Sequence, residues 1–339
     1  MELIMNNLNV IWFILLCVLF AGFFFLEGFD YGTGILLPVI GKTDVERRQM
    51  INALGPIWDG NEVWMITAGG ALFASFPHVY ATLFSGFYMA LFLMLAVLIM
   101  RGVAFEFRSK SANRTWRKVF DYCIFIGSIV PALLWGVTVG NLIQGTPIDE
   151  TMTYVGTFWD LLSPYTVLCG VAFILVFTYH GGLFTSLKTA GPVSERARAA
   201  ALVTGVPTAI GVIALIIASY VCTDLYNSTL AIVFCALAVV CFLISWGATR
   251  TRNTKWGFLF SSLSIILITA TYFAGLFPRI MVSSLNPAWS LTITNASSSE
   301  YTLALMTAVA AVFVPIVLAY QIWVYWIFRH RVTEKDLHY

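Results

Sequence analysis

Long apolar runs separated by short polar links organise this chain. Nine runs are each about 20 residues or longer, which is enough for a helix to cross a bilayer, and they cover approximately residues 10–40, 50–76, 79–100, 119–143, 162–187, 199–222, 228–247, 257–277 and 301–328. The polar leader before the first run has no Lys, Arg or small-residue cleavage site, so we expect this run to be a retained helix rather than a signal peptide. The pattern predicts an all-α polytopic membrane protein with nine transmembrane helices.

Composition and charge agree with this prediction and orient the chain. Hydrophobic residues make up 59% of the sequence and charged residues 11%, and the mean hydropathy is +0.85, which excludes a soluble domain. Apart from Arg279, every Lys and Arg falls in the links 41–49, 101–118, 188–198 and 248–256 or in the C-terminal tail. The positive-inside rule therefore places the N-terminus outside and the C-terminus in the cytoplasm. This bias accounts for the net charge of +2 and leaves no indication of nucleic-acid binding.

Six acidic residues belong to the opposite, outer side. They are Glu2, Asp149, Glu150, Asp160, Asp224 and Glu300. The longest outer link, 278–300, is uncharged apart from its ends but carries apolar side chains, so we expect it to lie against the membrane interface or a partner. These apolar residues are Leu285, Trp289 and Ile293.

A weak internal repeat suggests two units. The stretch 31–48 resembles 179–197 at an offset of about 148 residues, and both stretches end an apolar run and cross a cytoplasmic link. Thr43 and Glu46 have capping-box spacing, and Ser194 with Glu195 after Pro192 is a plausible cap and first turn. The repeat predicts a four-helix unit over 1–145, a second over 146–278, and an outer loop, ninth helix and tail over 279–339. The alternative is that Gly and capping residues recur at helix ends for local reasons.

Four carboxylates lie inside the first two apolar runs. Glu27 and Asp30 are in the first, and Asp59 and Glu62 are in the second. The short link makes the two runs an antiparallel hairpin, in which Asp30 has the depth of Asp59, and Glu27 that of Glu62. Because each pair is spaced i,i+3, both members share one helix face. We expect one acidic cluster near the cytoplasmic surface, and ionisable groups at such depth by default indicate proton or ion handling.

Other polar residues are candidates to support this cluster. Trp58 and Asn61 lie on the second run beside the acids, and Arg101, Glu106 and Arg108 lie at the cytoplasmic end of the third. Neighbouring carboxylates in a poorly solvated site share protons, so the cluster is suited to relay them. The alternative is that the acids only form buried ion pairs with Arg101 or Arg108 that fix the helix register.

Histidine and cysteine usage argue against a haem or metal site in this chain. Of the four histidines, only His180 lies within an apolar run; His78 is near the outer surface, and His330 and His338 are in the tail. A lone intramembrane histidine is more often a hydrogen-bonded core residue than a ligand. The six cysteines have no metal-ligand spacing and are typical of small buried apolar side chains. No nucleotide-binding motif is present.

The motifs of the first half identify the chain by resemblance. Those motifs are Gly28-Phe29-Asp30-Tyr31-Gly32-x-Gly34, Glu46-Arg47-Arg48, Trp58-Asp59-Gly60-Asn61-Glu62-Val63-Trp64, Ala68-Gly69-Gly70-Ala71-Leu72-Phe73-Ala74 and Ser85-Gly86-Phe87-Tyr88. They closely resemble subunit II of cytochrome bd-type quinol oxidases. Weaker matches extend the resemblance over nearly the whole chain, through Phe105-Glu106-Phe107-Arg108, Asp121, Gly140-Asn141-Leu142 and Phe260-Ser261-Ser262-Leu263 to Thr333-Glu334-Lys335-Asp336.

The resemblance implies a role in a respiratory complex. Members of this family pair with a subunit I of homologous fold, which carries two b-type haems, one d-type haem and the quinol site; the complex oxidises quinol and reduces dioxygen to water in the bacterial cytoplasmic membrane. Subunit II would have no haem ligand and no metal. Asp30 and Asp59, with Glu27, would form part of a cytoplasmic proton-entry route. Some relatives have Asp at position 27 and Gln at position 62, so Glu62 is the less secure member of the set.

Other implications of the resemblance stay open. Trp64 matches a position considered for an oxygen route, although an interfacial or packing role is the usual one for a tryptophan. The sequence decides neither whether small single-span subunits join the complex nor whether a structural quinone or lipid is bound. Two other functions are considered: an independent transporter coupled to protons or sodium, and a purely structural scaffold.

Overall fold

The computed structural model describes residues 7–337. The chain is almost entirely helical, with long helices connected by short links. Glu2 and His338, used above for the charge and histidine arguments, lie outside the described residues. The helices are α1 (Leu8–Ile40), α2 (Asp44–Leu54), α3 (Trp58–Ser75), α4 (Pro77–Gly86), α5 (Tyr88–Phe107), α6 (Arg114–Gln144), α7 (Pro164–Lys188), α8 (Pro192–Cys222), α9 (Thr229–Arg250), α10 (Thr254–Leu276) and α11 (Glu300–Ile327).

Eight helices in the described part of the chain are long and apolar enough to cross a membrane. They are α1 and α5 to α11, and they match eight of the nine predicted runs. Most of the bounds agree to within a few residues. The exceptions are the run 79–100, which is divided between α4 and the start of α5, and α8, which begins seven residues before its run. The remaining predicted run, 50–76, is divided between α2 and α3. The interruption lies at Gly55–Ile57 and contains Pro56, which has no amide hydrogen to continue the helical bonding. The acidic residues of this run are therefore carried by a separate helix.

Helix α1 lies at the centre of the molecule. It packs against α3, α6, α7 and α10, and its closest neighbour is α7. A Cβ atom at Gly32 would lie 1.8 Å from the Phe177 carbonyl oxygen, and one at Gly181 would lie 2.3 Å from the Gly32 carbonyl carbon. Such contact between backbones is possible only with glycine at the crossing. Thr33 of α1 also hydrogen-bonds Thr185 of α7 over 3.0 Å.

The two helix-start predictions have different outcomes. The capping box is present at α2, where the Thr43 side chain accepts from the Glu46 amide and the Glu46 carboxylate accepts from the Thr43 amide. Ser194 is not the cap of α8. That helix begins at Pro192 after Gly191, which has a φ of +67°, and the Ser194 hydroxyl instead donates to the Ser186 carbonyl over 2.6 Å. Glu195 does lie in the first turn, as predicted.

The link between α10 and α11 is folded onto the helix ends near the start of α1 and the end of α3. It contains a short antiparallel pair, β1 (Arg279–Met281) and β2 (Leu291–Thr292), in the register Arg279 to Thr292. The Ile293 carbonyl accepts from the Asn9 side chain over 3.1 Å, and the Ser298 amide donates to the Ser75 carbonyl over 2.9 Å. Arg279, the exception to the charge bias, pairs with Asp224 over 2.7 Å.

Candidate functional site

Glu27 and Asp30 form a buried carboxyl pair on α1. Both side chains have 0% exposure, and the i,i+3 spacing places them on one face, where the two carboxyl groups contact each other. Their surroundings are the apolar side chains of the central helix and its neighbours, so neither group is solvated. Two carboxylates in contact in such a site repel, and one proton between them removes the repulsion.

Arg101 of α5 supplies the compensating charge. Its Nη1 donates to Glu27 Oε1 over 2.5 Å, and its side chain is 1% exposed. The guanidinium carbon lies 4.9 Å from the ring centroid of Tyr31 and 5.2 Å from that of Phe105. The ring faces add a cation–π attraction to the ion pair.

One added proton makes this cluster electrically neutral. Among residues 7–337, Glu27 Oε2 and Asp30 Oδ1 have no hydrogen-bond donor. A guanidinium and two carboxylates have a net charge of −1, and a single proton on the carboxyl pair makes the group neutral; among the same residues, Arg101 Nε, Arg101 Nη2 and the Tyr31 hydroxyl also have no partner. A neutral group is the state that burial favours. The arrangement is therefore able to hold one proton at a defined place.

Asn61 connects this cluster to α3 and α11. Its Nδ2 donates to Asp30 Oδ2 over 2.8 Å, and its Oδ1 accepts from the Tyr325 hydroxyl over 2.6 Å. Asn61 is fully buried and Tyr325 is half-buried. A continuous chain of contacts thus runs from Tyr325 through Asn61, Asp30 and Glu27 to Arg101.

The two acids of α3 lie away from this buried centre. Asp59 is exposed on the surface of the chain and Glu62 is half-buried. Glu62 is close enough to interact electrostatically with Glu27 on one side and with Asp59 on the other. The residue of α3 that contacts Asp30 is Asn61, where equal depth would have placed Asp59. The four acids therefore form a series from the surface inwards.

Of the predicted supporting residues on α3 and α5, Trp58 and Arg101 are buried and Glu106 is exposed. Trp58 is buried, with its ring 5.3 Å from that of Phe105, and it packs at the helix surface above Gly102. Arg101 is part of the site. Glu106 lies exposed on α5.

Arg108 belongs to a separate ion-pair network at the basic end of the helices. It donates to Asp121 over 2.5 Å and pairs with Asp44 over 3.0 Å. Asp121 also pairs with Arg47 over 2.6 Å, and Asp44 pairs with Arg117 over 2.7 Å. Since the carboxylates that Arg108 contacts are Asp121 and Asp44, its neighbours are not the four acids of the predicted cluster.

Trp64 links α3 to α11. Its Nε1 donates to Gln321 Oε1 over 2.8 Å, and its ring lies against Gly22, where a Cβ atom would approach within 2.2 Å. A cavity of about 670 Å³ lies beside α3, between α1, α5 and α6. It is lined almost entirely by apolar groups, including Phe20, Met65, Leu95 and Trp135.

His180 is engaged on both ring nitrogens. Nδ1 contacts the Ser261 hydroxyl over 2.7 Å and Nε2 contacts the Phe25 carbonyl over 3.1 Å. The ring stacks on Phe258 with centroids 4.8 Å apart. Within residues 7–337, no group of three or more His, Cys, Asp or Glu side chains is arranged to hold a metal ion. His180 therefore has the contacts expected of a core residue.

Three residues that contact the site were not among the predicted site residues. Tyr31 lines the Arg101 pocket, and Gln321 and Tyr325 approach from α11. The available signal was Gln321, an amide inside an otherwise apolar run, with Tyr325 one turn later on the same face.

Comparisons with known proteins agree with the architecture. Residues 8–328 match the family model of cytochrome bd terminal oxidase subunit II. The cytochrome bd ubiquinol oxidase subunit 2 of Bacillus subtilis (strain 168) is 41% identical over 334 residues, which cover 98% of this chain and 99% of the relative. The cytochrome bd-I ubiquinol oxidase subunit 2 of Escherichia coli (strain K12) is 40% identical over 365 residues, with coverages of 97% and 96%.

A solved structure supports the same fold. The bd oxidase from Geobacillus thermodenitrificans includes a chain that matches with a TM-score of 0.74 at 17% identity, covering 95% of this chain and 98% of that one. By the family model and by its curated relatives, this chain belongs to the cytochrome bd terminal oxidase subunit II family, whose members are subunits of an oxidoreductase complex.

Proposed function

We propose that this chain is the haem-free subunit of a bd-type quinol oxidase and that it supplies protons from the cytoplasm to the oxygen-reducing centre of a haem-bearing subunit I. The observation that carries the proposal is the series of carboxyl groups that begins at exposed Asp59 and ends at the buried Glu27–Asp30 pair. Protons are consumed when dioxygen is reduced to water, and a centre within the membrane needs a polar route for them.

Each acid has a separate role in this route. Asp59 takes up the proton at the surface of α3, and Glu62 lies one turn further along the same face. Glu62 interacts with both Asp59 and Glu27, so it can pass the proton inwards. The proton is then held between Glu27 Oε2 and Asp30 Oδ1, while Arg101 keeps the loaded cluster neutral and the unloaded cluster at a single negative charge.

The position of the acids on α3 supports a partner subunit. Asp59 is exposed within a helix of the predicted transmembrane hairpin, and Val63 and Ile66 on the same helix are 49% and 65% exposed. A carboxylate facing hydrocarbon costs several kcal/mol. A homologous-fold subunit I that packs against this side of α3 would remove that cost, and the same contact would stabilise subunit I.

Among the described residues, the single histidine inside a membrane-spanning run, His180, does not fit an axial haem ligand. Axial haem ligands are usually an imidazole, a thioether or a thiolate with a free lone pair, and both nitrogens of His180 are engaged. Haem supplies the oxygen chemistry when it is bound to the partner. Quinol and dioxygen are proposed as substrates of the complex.

Orientation follows the charge distribution. With α2 and α3 together counted as one span, the chain crosses the bacterial cytoplasmic membrane nine times, with its C-terminus in the cytoplasm. The network of Arg108, Asp121, Arg47, Asp44 and Arg117 then lies on the cytoplasmic side. Two four-helix units followed by a ninth helix remain the proposed organisation.

The test is an acid-to-amide substitution in the purified complex. Asp30→Asn and Asp59→Asn keep the side-chain size but remove the proton-carrying group, so oxygen consumption with quinol should fall at least tenfold while haem absorbance is unchanged. Glu150→Gln, an exposed outer-loop acid, is the control and should retain full turnover. Wild-type turnover in both aspartate variants would refute the proton route. Joint loss of haem and assembly would favour the scaffold function instead.

A further inference from the structure

Within residues 7–337, helix α11 makes a small number of polar contacts with the other helices. Most of its side chains are exposed, including Ile322, Trp323 and Trp326 at 55 to 69%. At the outer end, the Trp12 indole donates to the Thr307 hydroxyl over 3.0 Å. At the other end, the contacts come from Gln321 and Tyr325. Apolar surface gives little preference between lipid and protein, so polar contacts set the register of such a helix.

The Gln321 and Tyr325 contacts converge on one segment of α3. Gln321 accepts from Trp64 Nε1 over 2.8 Å and approaches the Gly60 carbonyl with its Nε2 at 3.5 Å. Tyr325 is one turn further along the same face and reaches Asn61. Gln321 therefore places Tyr325 beside the amide that contacts Asp30.

The chemistry of Asn61 gives this contact a direction. The NH₂ group of Asn61 faces Asp30 Oδ2 and its carbonyl faces Tyr325; because an NH₂ group can only donate, the oxygen opposite it must accept. The Tyr325 hydroxyl must then donate. With this orientation, Oδ2 of Asp30 is kept unprotonated and the exchangeable proton is confined to Asp30 Oδ1 and Glu27 Oε2.

We propose that Tyr325 is a positioning residue of the acidic cluster, which acts through Asn61 to fix the oxygen of Asp30 that carries the proton. The proposal rests on the proton-supply function above. Without the Tyr325 hydroxyl, the amide of Asn61 is free to turn, and its carbonyl bonds to Asp30 only when Oδ2 is protonated. The proton then has two places to reside, one of which leads away from Glu27.

Several other groups face Asp30 and are part of its protonation equilibrium. On α1 these are Glu27 and Tyr31, on α3 Asn61 and Glu62, on α5 Arg101, and on α11 Tyr325. Removal of the Tyr325 hydroxyl leaves every charge and both ion-pair partners in place.

The experiment compares Tyr325→Phe with Tyr320→Phe in the purified complex. Tyr320 is on the same helix and is 62% exposed. Its substitution also removes a phenolic hydroxyl, but one that does not contact Asn61. We expect Tyr325→Phe to reduce quinol oxidase turnover about fivefold, the factor that corresponds to one hydrogen bond of ordinary strength, and to displace the pH–rate profile, with full haem content. Tyr320→Phe should match wild type.

A double-substitution cycle distinguishes positioning from simple support of the helix. If Tyr325 acts through Asn61, Tyr325→Phe has no further effect in an Asn61→Ala background. Additive effects, or a pH–rate profile that superimposes on wild type, would overturn the proposal. If Asp30→Asn slows turnover while Tyr325→Phe does not, the positioning role fails and the proton route stands. If neither slows it, the proton route itself fails.

Discussion

Two buried polar regions of this molecule differ in how completely their polar groups are hydrogen-bonded. The acidic cluster, comprising Glu27, Asp30 and Arg101, combines charges and leaves carboxyl oxygens without donors within the described chain. The hydroxyl region, comprising Tyr179, Ser245 and Thr249, is uncharged and fully paired: Tyr179 contacts Ser245 over 2.7 Å, Ser245 donates to the Gly257 carbonyl over 2.5 Å, and Thr249 donates to the Ser245 carbonyl over 2.8 Å.

The predicted repeat relates the two regions, because Tyr179 of the hydroxyl region corresponds to Tyr31 beside the acidic cluster. At the repeat offset of 148 residues, Glu27 and Asp30 correspond to Leu175 and Thr178. Thr178 donates to the Ile174 carbonyl of its own helix over 2.6 Å. A hydroxyl region with all its hydrogen bonds made stabilises one packing arrangement. The acidic cluster instead has a net charge of −1, which one proton neutralises. Under the proposed function, α1 therefore carries the chemistry and the corresponding part of α7 contributes to packing.

The largest expected effect comes from breaking the charge balance. Arg101→Met leaves the buried carboxyl pair without its cation, and removing one partner of a buried ion pair costs about 3–5 kcal/mol. We expect the complex to lose most of its thermal stability, measured by the temperature at which haem absorbance is lost. The double variant Arg101→Met with Glu27→Gln should recover part of the loss. Equal stability of Arg101→Met and wild type would show that the pair is not charged.

The next effect concerns the crossing that α1 and α7 share. Gly181→Ala places a Cβ atom 2.3 Å from the Gly32 carbonyl carbon and 2.4 Å from the Thr33 nitrogen. Neither backbone atom can move aside by a rotamer change, so the overpacking should cost about 3 kcal/mol and lower the yield of assembled complex. Gly247→Ala is the matched control, because apart from its own stretch of helix no described atom lies within 4 Å of its Cβ position. Equal yields of the two variants would contradict the close approach.

A smaller effect is expected in the hydroxyl region. Ser245→Ala removes the partner of the buried Tyr179 hydroxyl, and an unpaired buried group of this kind costs about 1–2 kcal/mol. Thermal stability should fall, but turnover and its pH dependence should stay at wild-type values. A displaced pH–rate profile in Ser245→Ala would remove the distinction between the two regions.

The smallest effect is expected outside both regions, at the cap of α2. Partial burial alone would raise the pKa of Glu46, but the amides of Thr43 and Lys42 and the guanidinium of Arg196 bring that pKa below its usual value. A depressed carboxyl pKa stabilises the fold above the unfolded value and loses this contribution as the pH falls through the folded value. Glu46→Gln should therefore cost about 0.5 kcal/mol near neutral pH. The difference from wild type should shrink below about pH 4, and exposed Glu334→Gln should show neither effect.

The hydrophobic pattern predicted most of the helices, and the capping-box spacing predicted the start of α2. The family resemblance is confirmed by the comparisons. The i,i+3 spacing correctly placed Glu27 and Asp30 on one face, because that periodicity is a property of the helix itself. Depth along a hairpin does not determine rotation about the helix axis, and for this reason it could not show that Asn61, and not Asp59, contacts Asp30.

The remaining parts of the site depend on contacts distant in sequence. Arg101 was a candidate partner for the acids, but the sequence could not distinguish it from Arg108, which lies with Asp121 and Asp44 instead. Tyr325 reaches Asn61 across 264 residues. No local pattern records such a contact, because the register of α11 is set by a few polar groups in an otherwise apolar helix.

The most direct test of the central claim is the rate of proton uptake by the complex. Fully reduced complex is mixed with dioxygen in a weakly buffered solution containing a pH indicator dye, and proton uptake and haem oxidation are followed together. We predict that Asp30→Asn slows proton uptake at least tenfold relative to wild type at unchanged haem content, while Thr178→Val, the substitution at the corresponding position of α7, leaves it unchanged. Equal uptake rates in wild type and Asp30→Asn would contradict the account.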